Sequence, residues 1–489
     1  MTYSVDKVDS HRNLVLAGLL NELRWSNSRV ASAINAILGK GYIARSTVSE
    51  WVNQSRLPRE PLPVVVAHVL STAVGRTISA QQLWPQWVPS SPQWVPADAD
   101  TEVAWTAEGT RRLIHDWLAN EKSVMDTDRR NFMAISGASF TAPAWGYMDT
   151  INSSPPATDI STAGLGSTDR TAFTVSPAYV DVIEDTIGGL RRMDDLEGGG
   201  GDSLRATYRE FHKVADLAHN GRFTDTHTAG RFMSAFAQLC QSAGWMALDA
   251  QQHGLAWRYF RTGLQATHDC GDHDIGAHIL GSMSYQAATR GNAHDAVELA
   301  TAAVETAKKS HPLVQAAVFS RFAHAQAAAG NAYEFRSATD QMKRSFQQAQ
   351  TANTDPPNYL YWLDDVAIDT LAGQGALLLA LTSRRNSNSL TREADTLLSN
   401  EISKNADLRP RYAVLHGAWL ARLYTRRGDV EQAIDTATTA LHRLQSVRSP
   451  MTLTVLRDLD SDLSTRSGLQ TMPRVRQLRQ ELHPLITAA

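Results

Sequence analysis

Small residues recur at helical spacing through the second half of this 489-residue chain, and they constrain its fold more than anything else in it. GDVEQAIDTATTAL (428–441) is the clearest unit. Gly428-Asp429 turns the chain, and Ala433, Ala437 and Ala440 then share one side of a helix. The helix before it carries Leu420, Ala421 and Tyr424. Small residues at these spacings let two antiparallel helices approach closely. GNAHDAVELATAAV (291–304) repeats the pattern with Ala296, Ala300 and Ala303, and HGLAWRYFRTGL (253–264) repeats it more weakly with Ala256, Phe260 and Gly263. Gly330-Asn331-Ala332 opens another unit, and Ala394 marks a fifth. The second helices start near 256, 296, 335, 394 and 433, at intervals of 40, 39, 59 and 39. The long interval holds the irregular stretch TANTDPPNYLYWLDD. Such units stack into a superhelix with a concave face. The expected fold is therefore all-α, with a solenoid over residues 201–489.

The array resembles tetratricopeptide repeats, whose period is about 34 residues, with longer helices and one insertion. In that resemblance the first helix of each pair lines the groove. It nominates Gln241, Trp245, His278, Tyr285, His324 and Arg422 as groove residues, and a peptide or protein segment as the occupant.

The N-terminal part reads differently. Val15, Leu16, Leu19, Leu20 and Leu23 form one apolar stripe, and Val30, Ile34, Ile37 and Leu38 form a second after the cap candidates Ser26 and Ser28. Gly39 and Gly41 break the chain. Thr47 and Glu50 have the spacing of a capping box that restarts a helix. Val48, Trp51 and Val52 would face inward, Ser49, Glu50, Asn53 and Gln54 outward, with Pro58 ending the helix. That outward face suits a major groove: Asn and Gln can bridge adenine, and Glu can accept from cytosine. Arg45, Arg56 and Arg59 flank it where phosphates would run, and Ser46 and Thr47 at the helix start complete the expected DNA-binding set. Residues 1–84 are thus expected to be a helix-turn-helix domain on double-stranded DNA. They hold nine Lys/Arg against five Asp/Glu, net +4, on a chain of net charge −3. A basic head on an acidic body fits a DNA reader joined to another module.

Between the two, PQWVP occurs at 85–89 and again at 92–96. Residues 85–104 read as a Trp/Pro-rich, semi-rigid linker, and Trp84 just before it, with Trp87 and Trp94 within it, are expected to dock partly on the body. Residues 105–200 read as a helical connecting region. It has a Leu113, Ile114, Trp117 and Leu118 stripe, a mobile loop near 150–178 rich in Ser, Thr, Gly and Pro, and a helix with Val182, Ile183, Ile187 and Leu190. Gly198–Gly201 lacks the Gly-Lys-Ser/Thr ending of a phosphate loop and reads as a flexible connector.

HDCGDHDIGAH (268–278) has ligand residue types but no second pair at zinc-site spacing, so no metal is expected. No hydrolase, metalloprotease or dinucleotide fingerprint occurs, and neither an enzyme nor a cofactor is expected. Two cysteines, Cys240 and Cys270, fit a reducing compartment. No apolar leader or membrane-length run is read, so a cytoplasmic, nucleoid-associated protein is expected.

With these residues in view, the chain resembles large actinobacterial regulators that join an N-terminal helix-turn-helix to a tetratricopeptide-like body. STVSEWVNQSRLPR with GRTISAQQLW, DRRNFMAISGASFTAPAW, and AGWMALDAQQHGLAWRYFRTGLQ with SMSYQAATRGNAHDAVELATAA carry the resemblance. It implies a homodimeric transcription regulator of development or specialised metabolism. Val52 and Gln54 stand where such regulators often have Glu and Gly, so the flanking arginines carry over more directly than the base readers. More distantly, the layout is similar to peptide-sensing regulators of the same two-part design. The alternative from the residues alone is an interaction scaffold whose head does not read DNA.

Overall fold

The alanine-rich units fold as helical hairpins, and among the described residues the chain is all-α apart from one two-residue parallel ladder between Thr174–Val175 and Arg222–Phe223. The computed structural model describes residues 12–38, 43–59, 62–74, 78, 80–86, 103–119, 138–153, 173–382, 387–404, 410–444 and 447–487. Trp87 and Trp94 of the linker, Gly39 and Gly41, and 154–172 of the expected loop lie outside them. The chain divides into two units, 1–103 with 121–142, and 104–120 with 143–489.

In the first unit, α1 (Leu14–Glu22), α2 (Asn27–Leu38), α3 (Arg45–Asn53), α4 (Leu62–Val74) and the single turn α5 (Ala80–Leu83) surround one core. Leu16, Leu19 and Leu20 meet Val30, Ile34, Val48, Trp51 and Val52 there. Trp84 is fully buried in this core, edge-on to Trp51 at 6.3 Å, so the first of the three tryptophans belongs to the head. Asn13 ties three elements together. Its backbone N–H donates to Val52 O (2.9 Å), its Nδ2 donates to Leu83 O (2.8 Å), and its Oδ1 caps α1 at Leu16 N (2.9 Å).

The second unit opens with α6 (Ala107–Ala119), α7 (Ala138–Ser153, whose first residues lie in the other unit), α8 (Pro177–Glu197) and α9 (Asp202–Asn220). The hairpins follow: α10 (Thr226–Asp249) with α11 (His253–Cys270), α12 (His273–Thr289) with α13 (Ala293–Thr306), α14 (Pro312–Ala328) with α15 (Ala332–Thr351), α16 (Asp365–Thr382) with α17 (Ser387–Lys404), and α18 (Pro410–Arg427) with α19 (Val430–Leu444). A last pair, α20 (Pro450–Thr465) and α21 (Pro473–Thr487), ends the stack. All five expected second helices are present.

Four hairpin turns share one chemistry. An N–H two or three residues past each first helix reaches back five residues: Gln252 to Ala247 O, Asn292 to Ala287 O, Asn331 to Gln326 O and Asp429 to Tyr424 O, all at 2.8–3.0 Å. The residue before each donor is left-handed. Glycine takes that position at Gly291, Gly330 and Gly428, but Gln251 takes it in the first hairpin (φ 61°), which is why that unit reads weakly in sequence. Close helix approach rests on small residues, as at Gly244, where a Cβ would come within 2.5 Å of the Phe260 ring.

The described residues of 105–119 and 143–200 are built into the body. Trp117 of α6 stacks on Tyr259 at 4.5 Å and donates from Nε1 to Thr262 Oγ1 (2.9 Å). The expected loop is shortened at both ends, because α7 runs to Ser153 and α8 starts at Pro177. α16 is long and apolar enough to cross a membrane, but 56% of it is buried in the body, as expected of a core helix.

The solenoid curls far enough for its early helices to meet its late ones: α8 packs on α18, and α10 touches α20. Gly198–Gly200 lies in that seam, buried and packed, where the sequence suggested a flexible connector. Gly199 N donates to Asp249 Oδ2 (2.8 Å), Gly200 N donates to Arg448 O (3.1 Å), and Arg448 N donates to Glu197 O (2.6 Å). Glycine is needed because backbone meets backbone. A Cβ on Gly199 would lie 2.6 Å from Met246 O and 2.7 Å from Met246 Cα. Gly199→Ala should therefore lower unfolding free energy by about 1–3 kcal/mol. Urea denaturation measures this, and a loss below about 0.5 kcal/mol would show that the seam yields freely.

Candidate functional site

On the head, the buried faces of Val48, Trp51 and Val52 leave the opposite side of α3 outward. Arg45, Ser46, Asn53, Gln54, Arg56 and Arg59 are exposed, while Thr47, Ser49 and Glu50 are half-buried. The long α2–α3 connection is pinned by Asn35, whose Nδ2 donates to Ile43 O (3.0 Å) and whose Oδ1 accepts from Ile43 N (2.9 Å). The expected capping box does not form. α3 starts two residues before Thr47, its N-cap Ala44 has no side-chain oxygen, and Glu50 instead pairs with Arg56. Pro58 does not end the helix either. The chain leaves α3 through Gln54 and a left-handed Ser55 (φ 51°), and Pro58 is buried beyond it. Asn53 Nδ2 donates to Ser49 Oγ (3.0 Å), but the amide carries a second hydrogen and can still bridge a base.

In the body, the six nominated groove residues lie on first helices and divide between two cavities. Gln241 and Trp245 (α10) and His278 (α12) line one of about 50 Å³. Tyr285 (α12), His324 (α14) and Arg422 (α18) line another of about 210 Å³, with Leu377, Trp419 and Met451. A row of rings joins the two sets: Trp245 to Tyr285 at 5.3 Å, and Tyr285 to His324 at 4.8 Å. Arg422 is already engaged, with Nη1 donating to Asp458 Oδ2 (2.7 Å) and Nε to Asp462 Oδ2 (2.9 Å).

The same interior holds residues the sequence reading passed over. Tyr359, from the irregular stretch, is buried and rests on His278 at 5.5 Å, so that stretch packs into the same interior. Arg321 stands one turn before His324 on α14, with its guanidinium carbon 5.0 Å from the Trp245 ring centre and 4.8 Å from Tyr285. The i, i+3 spacing from His324 was the available signal. Burial, then the nearby Arg321 charge, holds the His324 imidazole down to about 3. Burial, then Arg321 and Arg191, holds His278 down to about 3 as well. Both are neutral near pH 7.

The HDCGDHDIGAH residues act as a capped turn. Asp272 Oδ1 accepts from Ile275 N (3.2 Å), Asp272 Oδ2 accepts from Ser234 Oγ (2.5 Å), and His268 packs on Trp105 at 5.7 Å. His294, Asp295 and Glu298 place ligand atoms within 4.8 Å of one another at the start of α13, where carboxylates already favour the helix N-terminus.

No curated protein matches the chain. The family model of the SP15 N-terminal domain matches residues 16–83, a span that coincides with the head's core from Leu16 to Leu83.

Proposed function

We propose that this protein is a transcription regulator that reads double-stranded DNA with α3, and whose repeat body serves dimerisation and ligand sensing. The carrying observation is the outward face of α3. A rigid three-residue apolar anchor sets a short helix whose other side offers Arg45, Ser46, Ser49 and Asn53, with Arg56 and Arg59 just beyond. The net charge of +4 on residues 1–84 supports the same reading. Arg56 must exchange Glu50 for a phosphate when DNA arrives, which an exposed pair allows at little cost. Two heads in a dimer would meet half-sites about one helical turn apart. A ligand in the body can change DNA affinity only by binding two body states differently.

The test is fluorescence anisotropy of the full chain on fragments chosen by genome-wide immunoprecipitation. Arg45→Ala should weaken binding to all sequences about tenfold and reduce the salt slope by about one. Asn53→Ala should instead flatten preference at one base position. Absence of discrete genomic peaks, or two variants that bind as wild type, would favour an interaction scaffold.

A further inference from the structure

Arg321 is a buried cation without a counter-ion. It is 8% exposed, and among the described residues it makes no hydrogen bond and no ion pair. Two neighbouring arginines, Arg411 and Arg191, differ. Arg411 lies 3.2 Å from Asp194 and 3.7 Å from Asp249. Arg191 donates to Ser242 Oγ (3.0 Å) and Gln238 Oε1 (3.3 Å). Of the two carboxylates lining the smaller cavity, Asp195 accepts from the Tyr361 hydroxyl, and Asp194 pairs with Arg411 through Oδ2 while its Oδ1 has no hydrogen-bond partner. A guanidinium does not shed its proton in a protein, so burial leaves the charge of Arg321 uncompensated. The ring faces of Trp245 and Tyr285 offset part of that and hold the planar group in place.

An orphaned donor lines the same cavity as Arg321. The Tyr359 hydroxyl is buried, has no hydrogen-bond partner, and lines the same cavity of about 50 Å³. That volume admits roughly three to five water-sized atoms, the size of a carboxylate or a phosphate. His278 and Gln241 line it as neutral polar groups.

We propose that this cavity is an anion site, in which Arg321 and the Tyr359 hydroxyl receive the carboxylate or phosphate group of a small molecule. The assignment deepens the sensing half of the proposed function and rests on the body being a ligand module. Its test contains no DNA, so it can fail while DNA reading stands.

The full chain is titrated at constant ionic strength with sodium phosphate, with sodium acetate, and with methylammonium chloride as a cation control. Tryptophan fluorescence and thermal melting are followed, Trp245 being the nearby reporter. A saturable response to phosphate or to acetate, with none to methylammonium, is expected, and the responding anion identifies the head group. Arg321→Met should lose at least about tenfold in affinity. Without anion it should melt no lower than wild type, since an apolar chain of similar volume removes an uncompensated charge. No saturable response to either anion, or wild-type affinity in Arg321→Met, overturns the site. So does a lower melting point for that variant without anion. If Arg321→Met does not fold, Tyr359→Phe decides, because it removes only the orphaned hydroxyl: a several-fold loss supports the site and unchanged affinity overturns it.

Discussion

Arg411→Ala destabilises the repeat body by about 3–5 kcal/mol, because it leaves two buried carboxylates without their cation. Arg411 is 2% exposed, and its guanidinium stands between Asp194 of α8 and Asp249 of α10. Asp249 also accepts from Ser449 Oγ (2.7 Å) and from Gly199 N (2.8 Å). One cluster therefore joins α8, α10, α18 and the start of α20, where the early helices of the solenoid meet the late ones. Burial pushes the Asp194 carboxyl up even beside Arg411, while the carboxylates push the Arg411 guanidinium further up still. The ion pair is thus strongly attractive and strongly desolvated at once, and removing one partner exposes the desolvation cost alone. Arg411→Ala combined with Asp194→Asn should recover part of the loss. Arg411→Lys should be intermediate, since a point charge cannot serve two carboxylates as a planar fork does. Chemical denaturation of wild type, Arg411→Ala, Asp194→Asn and the double variant forms a double-mutant cycle. A single variant within about 1 kcal/mol of wild type would mean that the seam is open to water.

This seam shows why part of the interior was illegible in the sequence. The hairpins were readable, because Ala296, Ala300 and Ala303, or Ala433, Ala437 and Ala440, encode close packing within a few helical turns. The apolar triplet Val48, Trp51 and Val52 was readable for the same local reason. Arg411, Asp194 and Asp249 are far apart in the chain, and nothing local marks them as partners. Gly198–Gly201 looked like a hinge because glycine permits both freedom and close approach, and only the neighbouring backbone of Met246 and Arg448 decides which. The irregular stretch around Tyr359 broke the repeat period, but composition could not say that its tyrosine would be buried against His278. On the head, the Thr47–Glu50 spacing gave a false cap. Helix starts are set by where the chain leaves the extended region, and here that happens at Ala44, after the Asn35 clamp on Ile43. The nominated groove residues were placed on the inner helices by analogy with the repeat, but that analogy held no information about Arg321.

The two interior histidines should make the protein acid-sensitive well above the range where carboxylates titrate. His278 and His324 are held down to about 3 in the folded chain, by burial first and by Arg321 next, with Arg191 adding to the effect at His278. In the unfolded chain each titrates near 6.5. Between those values the unfolded state binds more protons, so the stability these groups allow is complete above about pH 6.5 and falls as the pH drops. At pH 5 the loss is about 2 kcal/mol for each ring, about 4 kcal/mol together. Asp194 works in the other direction: its folded carboxyl is pushed up, so acid first relieves a buried charge there and returns part of the loss. Two histidines against one carboxyl still leave a net fall. Unfolding free energy measured from pH 7.5 to pH 5 should decline in the wild type, and the slope should flatten by about 2 kcal/mol over that interval in His324→Gln, and similarly in His278→Gln. The slope is the readout, since either substitution can also shift the baseline through lost packing on Tyr285 or Tyr359. Parallel profiles in wild type and both variants would mean that the rings are protonated in the folded state, and that water reaches the groove beside Arg321.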